Sequence, residues 1–252
     1  MSPLGDPAYL RDPAHVRTQY ASETNLAARA SLYTDTTGPS AGDVALAALA
    51  EVGPATLLEV GCGTGWFAAA VRDELGADVT AVDQSERMVA LARERSLDAR
   101  VADVQALPFA DGCFDCVAAN WMLYHVPDLD LGLRELRRVL RPGGRLVAVT
   151  NALDHLLEFW EFVGGTEVRL GRELTFAAEN GAEALARHFA HIELRDARGT
   201  VRIADRDAVL RYLESADLFR DLASGVPASF EPFDARRSNV VFVADALSAP
   251  PS

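Results

Sequence analysis

Lysine is missing from this chain, so its 24 basic residues are all arginines, and they are outnumbered by 37 acids for a net charge of −13. A protein this acidic repels a phosphate backbone unless a dense local patch overrides its field. The densest basic group, Arg134, Arg137, Arg138 and Arg141, keeps helical spacing and reads as a solvated helix face, so no nucleic-acid partner is expected. Cysteine is scarce: Cys62, Cys113 and Cys116 are the only three. The Cys113-x-x-Cys116 pair lacks the second pair or H-x₃-H that a zinc site needs, and no metal is expected. No apolar run approaches the roughly 20 residues that span a bilayer, and the N-terminus lacks the basic-then-apolar order of a secretion signal. The expectation is a cytoplasmic protein without membrane association. Internal repeats are absent too, and the oligomeric state is not readable.

What is present is an apolar fraction of 49% over 252 residues, enough for one large α/β domain. It is organised around Leu57-Leu58-Glu59-Val60-Gly61-Cys62-Gly63-Thr64-Gly65-Trp66-Phe67. A short apolar strand runs into three alternate glycines and then an alanine-rich helix. That order sets bare backbone against a small ligand at the carboxyl edge of a sheet. Asp78 to Asp83 reads as the next strand, ending in an acid 20 residues past Gly63, where a carboxylate can accept both ribose hydroxyls of a nucleoside. Gln84 follows it. The dinucleotide fingerprint G-x-G-x-x-G/A wants a small sixth residue, and here that position is Trp66. On spacing alone, an NAD(P)-dependent Rossmann oxidoreductase and a cofactor-binding relative without catalysis both stay open.

Three passages narrow the choice. Glu59-x-Gly61-x-Gly63-x-Gly65 resembles the first motif of the class I S-adenosylmethionine-dependent methyltransferases. Leu107-Pro108-Phe109, Asp111 and Phe114-Asp115 resemble that family's "LPF–D–FD" passage before its fourth strand. Leu140-Arg141-Pro142-Gly143-Gly144-Arg145-Leu146 resembles its "LKPGG-L" passage before the fifth. The resemblance runs from about Leu57 to Asn151. It implies a doubly wound, Rossmann-like, mostly parallel seven-stranded sheet with an antiparallel edge strand. It also implies S-adenosyl-L-methionine as cofactor: Glu59 helps place it, and the backbone from Gly61 through Cys62 and Gly63 to Gly65 lines its methionine part. Asp103 receives the adenine amino group, the Val104 N–H reaches a ring nitrogen, and the Asn120 carbonyl holds the cofactor's amino group. Met88 either lies against adenine or packs in the core.

Outside that stretch the reading is structural. Residues 1–53 form a helical lid: a loose arm to Asp12, a helix from Pro13 capped by Asp12, a second capped by Ser22, and a third over Asp43–Val52. In the family resembled such a segment closes over the cofactor, where Tyr20 and Arg29 would meet its carboxylate or the substrate; the alternatives are plain packing against the sheet and, for Arg29, a surface ion pair. Residues 54–151 are the cofactor core. Residues 152–252 are the acceptor side, with inserted helices at Ala152–Phe162 and Leu174–Phe189, short strands at His191–Leu194 and Thr200–Ile203, a helix from Asp205 to Phe219, a last edge strand at Ser238–Ala244 and a disordered tail from Ser248. The acceptor wall is expected from residues 13–33, 152–175 and 205–220.

No nucleophile motif demands covalent catalysis, which suits displacement from a sulfonium. The implied reaction is methyl transfer to a nitrogen or oxygen of a small soluble metabolite, such as a natural-product intermediate, with S-adenosylhomocysteine as product. His125, following the fourth strand, is the candidate base, with packing as the alternative; His155 is a weaker second. Trp66 and Trp160 stand either as stacking surfaces or as core.

Overall fold

The computed structural model describes residues 10–165 and 174–247. The start of the N-terminal arm, residues 166–173 of the expected acceptor wall and the tail from Ser248 lie outside them. Seven strands form one sheet: β1 (Thr56–Val60), β2 (Asp78–Asp83), β3 (Asp98–Val101), β4 (Phe114–Asn120), β5 (Leu140–Asn151), β6 (Ala190–Ile203) and β7 (Phe233–Asp245). Their order is β3-β2-β1-β4-β5-β7-β6, with the first five parallel and β7 antiparallel to both its neighbours.

The antiparallel strand expected at the edge is therefore one place in, and β6 takes the edge. Side-chain environment explains the exchange. Residues 237–244 of β7 are buried without a break, as a strand between two others must be, whereas β6 alternates and exposes most of its first half. The two short strands expected near His191 and Thr200 are one strand, because β7 gives them a continuous partner from Glu193 to Ile203.

Both faces of the sheet are covered. α3 (Ala41–Ala50), α4 (Trp66–Leu75) and α5 (Glu86–Glu94) bury Leu57, Ala81, Cys116, Val147 and Val241 on one side. On the other, α6 (Leu129–Val139) and α8 (Gly181–Ala186) cover Leu58, Val117, Leu146 and Phe242. The strand residues alternate between these faces, and each fully buried Leu, Val or Phe contributes about 1.5–3 kcal/mol. A third apolar cluster joins α7 (Leu157–Phe162), α9 (Arg206–Glu214), Leu32 and the ends of β6 and β7. The helix expected over Leu174–Phe189 is confined to α8, and the one expected to Phe219 stops at Glu214 and continues from Asp217 as a 3₁₀ segment.

The caps are mixed. Asp12 caps α1 (Pro13–Gln19) through Ala14 N–H at 2.9 Å, as expected. Ser22 caps nothing: the N-cap position of α2 (Thr24–Ala30) is Glu23, whose carboxylate is drawn instead into a two-pronged pair with Arg87 on α5. α3 begins two residues before Asp43, behind Ser40. Arg138 is not a plain solvated residue. It holds Glu135 and Asp111 and donates to the carbonyls of Leu107 and Phe109, fastening the Leu107–Phe109 passage to α6. Asp115 does the same for β1, accepting from Ala55 and Thr56 N–H at 2.7 and 3.0 Å.

Candidate active site

The sheet reverses its winding between β1 and β4, and the crevice outside the carboxyl ends of such strands is where open α/β sheets bind ligands. A cleft of about 1110 Å³ opens there. This lies just beyond the upper end of the roughly 300–1,000 Å³ usual for ligand pockets.

Its floor is the glycine loop. Gly61, Gly63 and Gly65 all take left-handed backbone angles, and the N–H groups of Gly61 and Cys62 both bond Val82 O. Asp83 staples the turn: Oδ2 accepts Gly63 N–H and Oδ1 accepts Ser85 N–H, each at 2.9 Å. Burial pushes its carboxyl upward from the usual range, and those two N–H groups offset part of that. Gly65 faces away from the cleft, where a Cβ would strike Leu97 Cδ1 at 2.7 Å and Ala92 Cβ at 2.9 Å. It shapes the loop and does not line it. Met88 is likewise 0% exposed in the core and absent from the lining, which removes it as an adenine contact.

The other expected positions converge. Tyr20 and Arg29 from the lid, Glu59, Gly61, Cys62 and Gly63 from the floor, and Asp83 and Gln84 after β2 all line the cleft. So do Asp103 and Val104 after β3 and Asn120 and His125 after β4. Asp103 caps a 3₁₀ turn over Val104–Ala106, accepting from Gln105 N–H. Cys62 is buried, and its thiol is pushed far above the usual range, so it stays a neutral wall.

Several of these groups are buried with atoms that no protein group satisfies: Glu59 Oε2, both amide atoms of Asn120, and Arg29 Nη2. Gln19, buried on α1 and not foreseen from the sequence, adds an unpartnered Oε1. Unsatisfied buried polar atoms are costly and rare in native proteins. Gathered around one cleft, they form acceptors for an ammonium and a donor for a carboxylate, so the residues present fit an amino-acid-bearing cofactor such as S-adenosylmethionine. Desolvation pushes the Glu59 carboxyl well above the usual carboxylate range.

Two tyrosine–histidine pairs stand over this floor. His125 Nδ1–H donates to Leu10 O at 2.9 Å, so its Nε2 carries the lone pair and accepts the Tyr20 hydroxyl at 3.3 Å. Burial depresses this imidazole to about 4, so it is neutral at physiological pH. That weakens the base expected from sequence, since a base works best near the operating pH. Across the cleft Ser238 N–H donates to His155 Nδ1 at 3.1 Å, which leaves the hydrogen of the neutral ring on Nε2, 3.0 Å from the Tyr33 hydroxyl oxygen. Trp160 is buried edge-on to Phe159 and Tyr212 and tilted against Phe219 and still reaches the cleft, while Trp66 is 50% exposed at the rim. Arg237, Asn239 and Asn151 also line the cleft; nothing in their local sequence marked them.

The family model described as a methyltransferase domain matches residues 58–148. Over that stretch, and in its sheet order and glycine floor, the chain is similar to the class I S-adenosylmethionine-dependent methyltransferases. A malonyl-[acyl-carrier protein] O-methyltransferase of Pseudescherichia vulneris is 36% identical over 146 residues, 57% of this chain and 58% of that protein. Methyltransferase GfsG of Streptomyces halstedii is 41% identical over 110 residues, covering 39% of this chain and 40% of that one. The chain thus spans about half the length of the curated relatives it matches. In fold it is similar to the [4+2]-cyclase SpnF, with a TM-score of 0.64 and 21% identity over 93% of this chain and 96% of the other.

Proposed function

We propose that this protein transfers a methyl group from S-adenosylmethionine to a nitrogen or oxygen of a small acceptor, releasing S-adenosylhomocysteine. The observation that carries this reading is the ring of unsatisfied buried polar atoms from Glu59, Asn120, Gln19 and Arg29 around a bare glycine floor. Arg29 would hold the cofactor carboxylate, Gln19 and Asn120 its ammonium, Asp83 its ribose, and Asp103 with Val104 its adenine. Once bound, the cofactor supplies an electrophilic methyl on a charged sulfur. The chain's task is then to align an acceptor with it and exclude water, and such positioning is worth about 7–11 kcal/mol.

His125 serves as a positioning residue. By accepting the Tyr20 hydroxyl it turns the lone pairs of that oxygen toward the cleft, where they take an acceptor N–H or O–H. The aromatic wall of Trp160, Tyr212 and Phe219 suits an acceptor with an apolar body, consistent with a natural-product intermediate. The fold does not by itself exclude other chemistry, since a similar one bears the name of a cyclase.

The test is calorimetric titration with S-adenosylhomocysteine, followed by an assay for its release from S-adenosylmethionine with a panel of apolar amines and alcohols. Micromolar or tighter binding and turnover on at least one acceptor are expected. No heat with S-adenosylhomocysteine, and uptake of a nicotinamide dinucleotide in its place, would refute the reading.

A further inference from the structure

Arg237 on β7 is a buried cation without an anion. It is 6% exposed, it lines the cleft, and among the described residues no carboxylate stands within ion-pair distance. Its Nη2 donates to Thr37 O and Pro39 O at 2.7 and 2.9 Å, and Nη1 donates to Asn239 Oδ1 at 3.2 Å. Nε–H is buried with no partner, and one Nη1 hydrogen is unused. Holding a guanidinium out of water against neutral carbonyls alone is unfavourable, and truly buried charges are normally paired. In a chain with 37 acids, the lack of a partner here is telling.

A purely structural role explains it poorly. The loop whose carbonyls Arg237 touches is already fastened to β6: Thr37 N–H bonds Thr200 O, Thr200 N–H bonds Thr37 Oγ1, and Arg202 N–H bonds Asp35 O. The polar groups around Arg237 are also turned one way. Asn151 Oδ1 accepts from both Asn239 Nδ2 at 2.6 Å and Trp121 Nε1 at 3.3 Å. Trp121 sits in a left-handed backbone conformation, a strained state for a non-glycine residue. With every acceptor oxygen of this network used, what it offers the cleft is donors: the Asn151 amide hydrogens and Arg237. The first turn of α3, at Ser40 and Ala41, lines the same region and adds the positive end of a ten-residue helix, with exposed Asp43 as the one acid nearby in sequence.

We propose that Arg237, with the Asn151 amide, seats an oxyanion (a carboxylate or a phosphate monoester) carried by the methyl acceptor. In naming the ligand as the acceptor the proposal rests on the methyl-transfer reading. Arg29 also lines the cleft with no carboxylate in ion-pair distance among the described residues, and under the methyl-transfer reading it faces the cofactor's own carboxylate; Arg237 supplies the separate charge that a second, anionic molecule needs.

Thermal unfolding of the protein with sodium phosphate or sodium butyrate, against sodium chloride at equal ionic strength and with or without S-adenosylhomocysteine, tests this. One of the two oxyanions should raise the midpoint saturably, and which one does so names the anion class. Arg237→Gln should weaken that oxyanion at least about 10-fold, while S-adenosylhomocysteine affinity stays within about threefold. Asn151→Asp keeps the acceptor oxygen for Trp121 and Asn239 but sets a negative charge beside the site. It should weaken the oxyanion similarly, and it decides the matter should Arg237→Gln fail to fold. A midpoint that follows ionic strength alone, or equal oxyanion binding by wild type and the folded variant, would overturn the proposal. Loss of S-adenosylhomocysteine binding in the wild type would instead sink the methyl-transfer reading, and the measurements without it would still decide the role of Arg237.

Discussion

The two tyrosine–histidine pairs use the same residues in opposite senses. Over the glycine floor His125 is an acceptor, because its Nδ1–H is committed to the Leu10 carbonyl. Across the cleft His155 is a donor, because a backbone N–H from Ser238 occupies its Nδ1. The backbone atom that each ring meets thus decides whether its tyrosine gives or receives a hydrogen. One phenol turns lone pairs to the cleft, and the other has an oxygen polarised by a neighbouring N–H. Side-chain identity alone would not separate them.

The contrast between the two walls can be broken at several points. Asp83→Ala removes the staple from the cofactor wall only. S-adenosylhomocysteine affinity should fall at least about 100-fold, the worth of two charge-assisted bonds, and a change under threefold by calorimetry would mean the glycine floor holds its shape unaided. Gly65→Ala puts a methyl against Leu97 and Ala92 at a φ of 78°. Urea unfolding should show a loss of about 2–3 kcal/mol. The same change at Gly63, where a Cβ meets only Leu26 Cδ2 at 3.9 Å, should cost about 1 kcal/mol.

His125→Gln should lower kcat about 10–100-fold and leave cofactor affinity alone, whereas His155→Gln should raise the acceptor KM with kcat within about threefold. Equal effects on kcat would show that the opposite polarities do the same job. The smallest effect is in pH. His125 titrates near 4 when folded against 6.5 unfolded, so the unfolded chain binds the extra proton and stability declines as pH falls from 6.5 toward 4. His125→Gln should flatten that decline in thermal midpoints, and an unchanged slope would place the loss elsewhere.

Much of the glycine-loop side of the cleft was legible because its instructions are local. Glu59 to Gly63, Asp83, Asp103 and Asn120 each sit at a strand end that their own neighbours define, so order and spacing placed them on the cleft. The same logic misled at Gly65 and Met88, where only packing shows which way a residue faces. The opposite wall is written otherwise. Tyr33 meets His155 from 122 positions away, and Arg237 meets Thr37 from 200. No pattern within a window announces such pairs. The place of β7 was hidden for a related reason: an apolar strand suits an interior position, but which strands flank it depends on a partner that comes earlier in the chain and exposes half its face.

β7 itself is two things in succession. Arg237 and Asn239 form part of the pocket, and from Val240 onward the same strand is a central beam of the interior. Altered taste for acceptors, whether evolved or engineered, should therefore come easily from the peripheral helices α7 and α9 and grudgingly from this strand. There, every trial of a new binding chemistry also strains the frame.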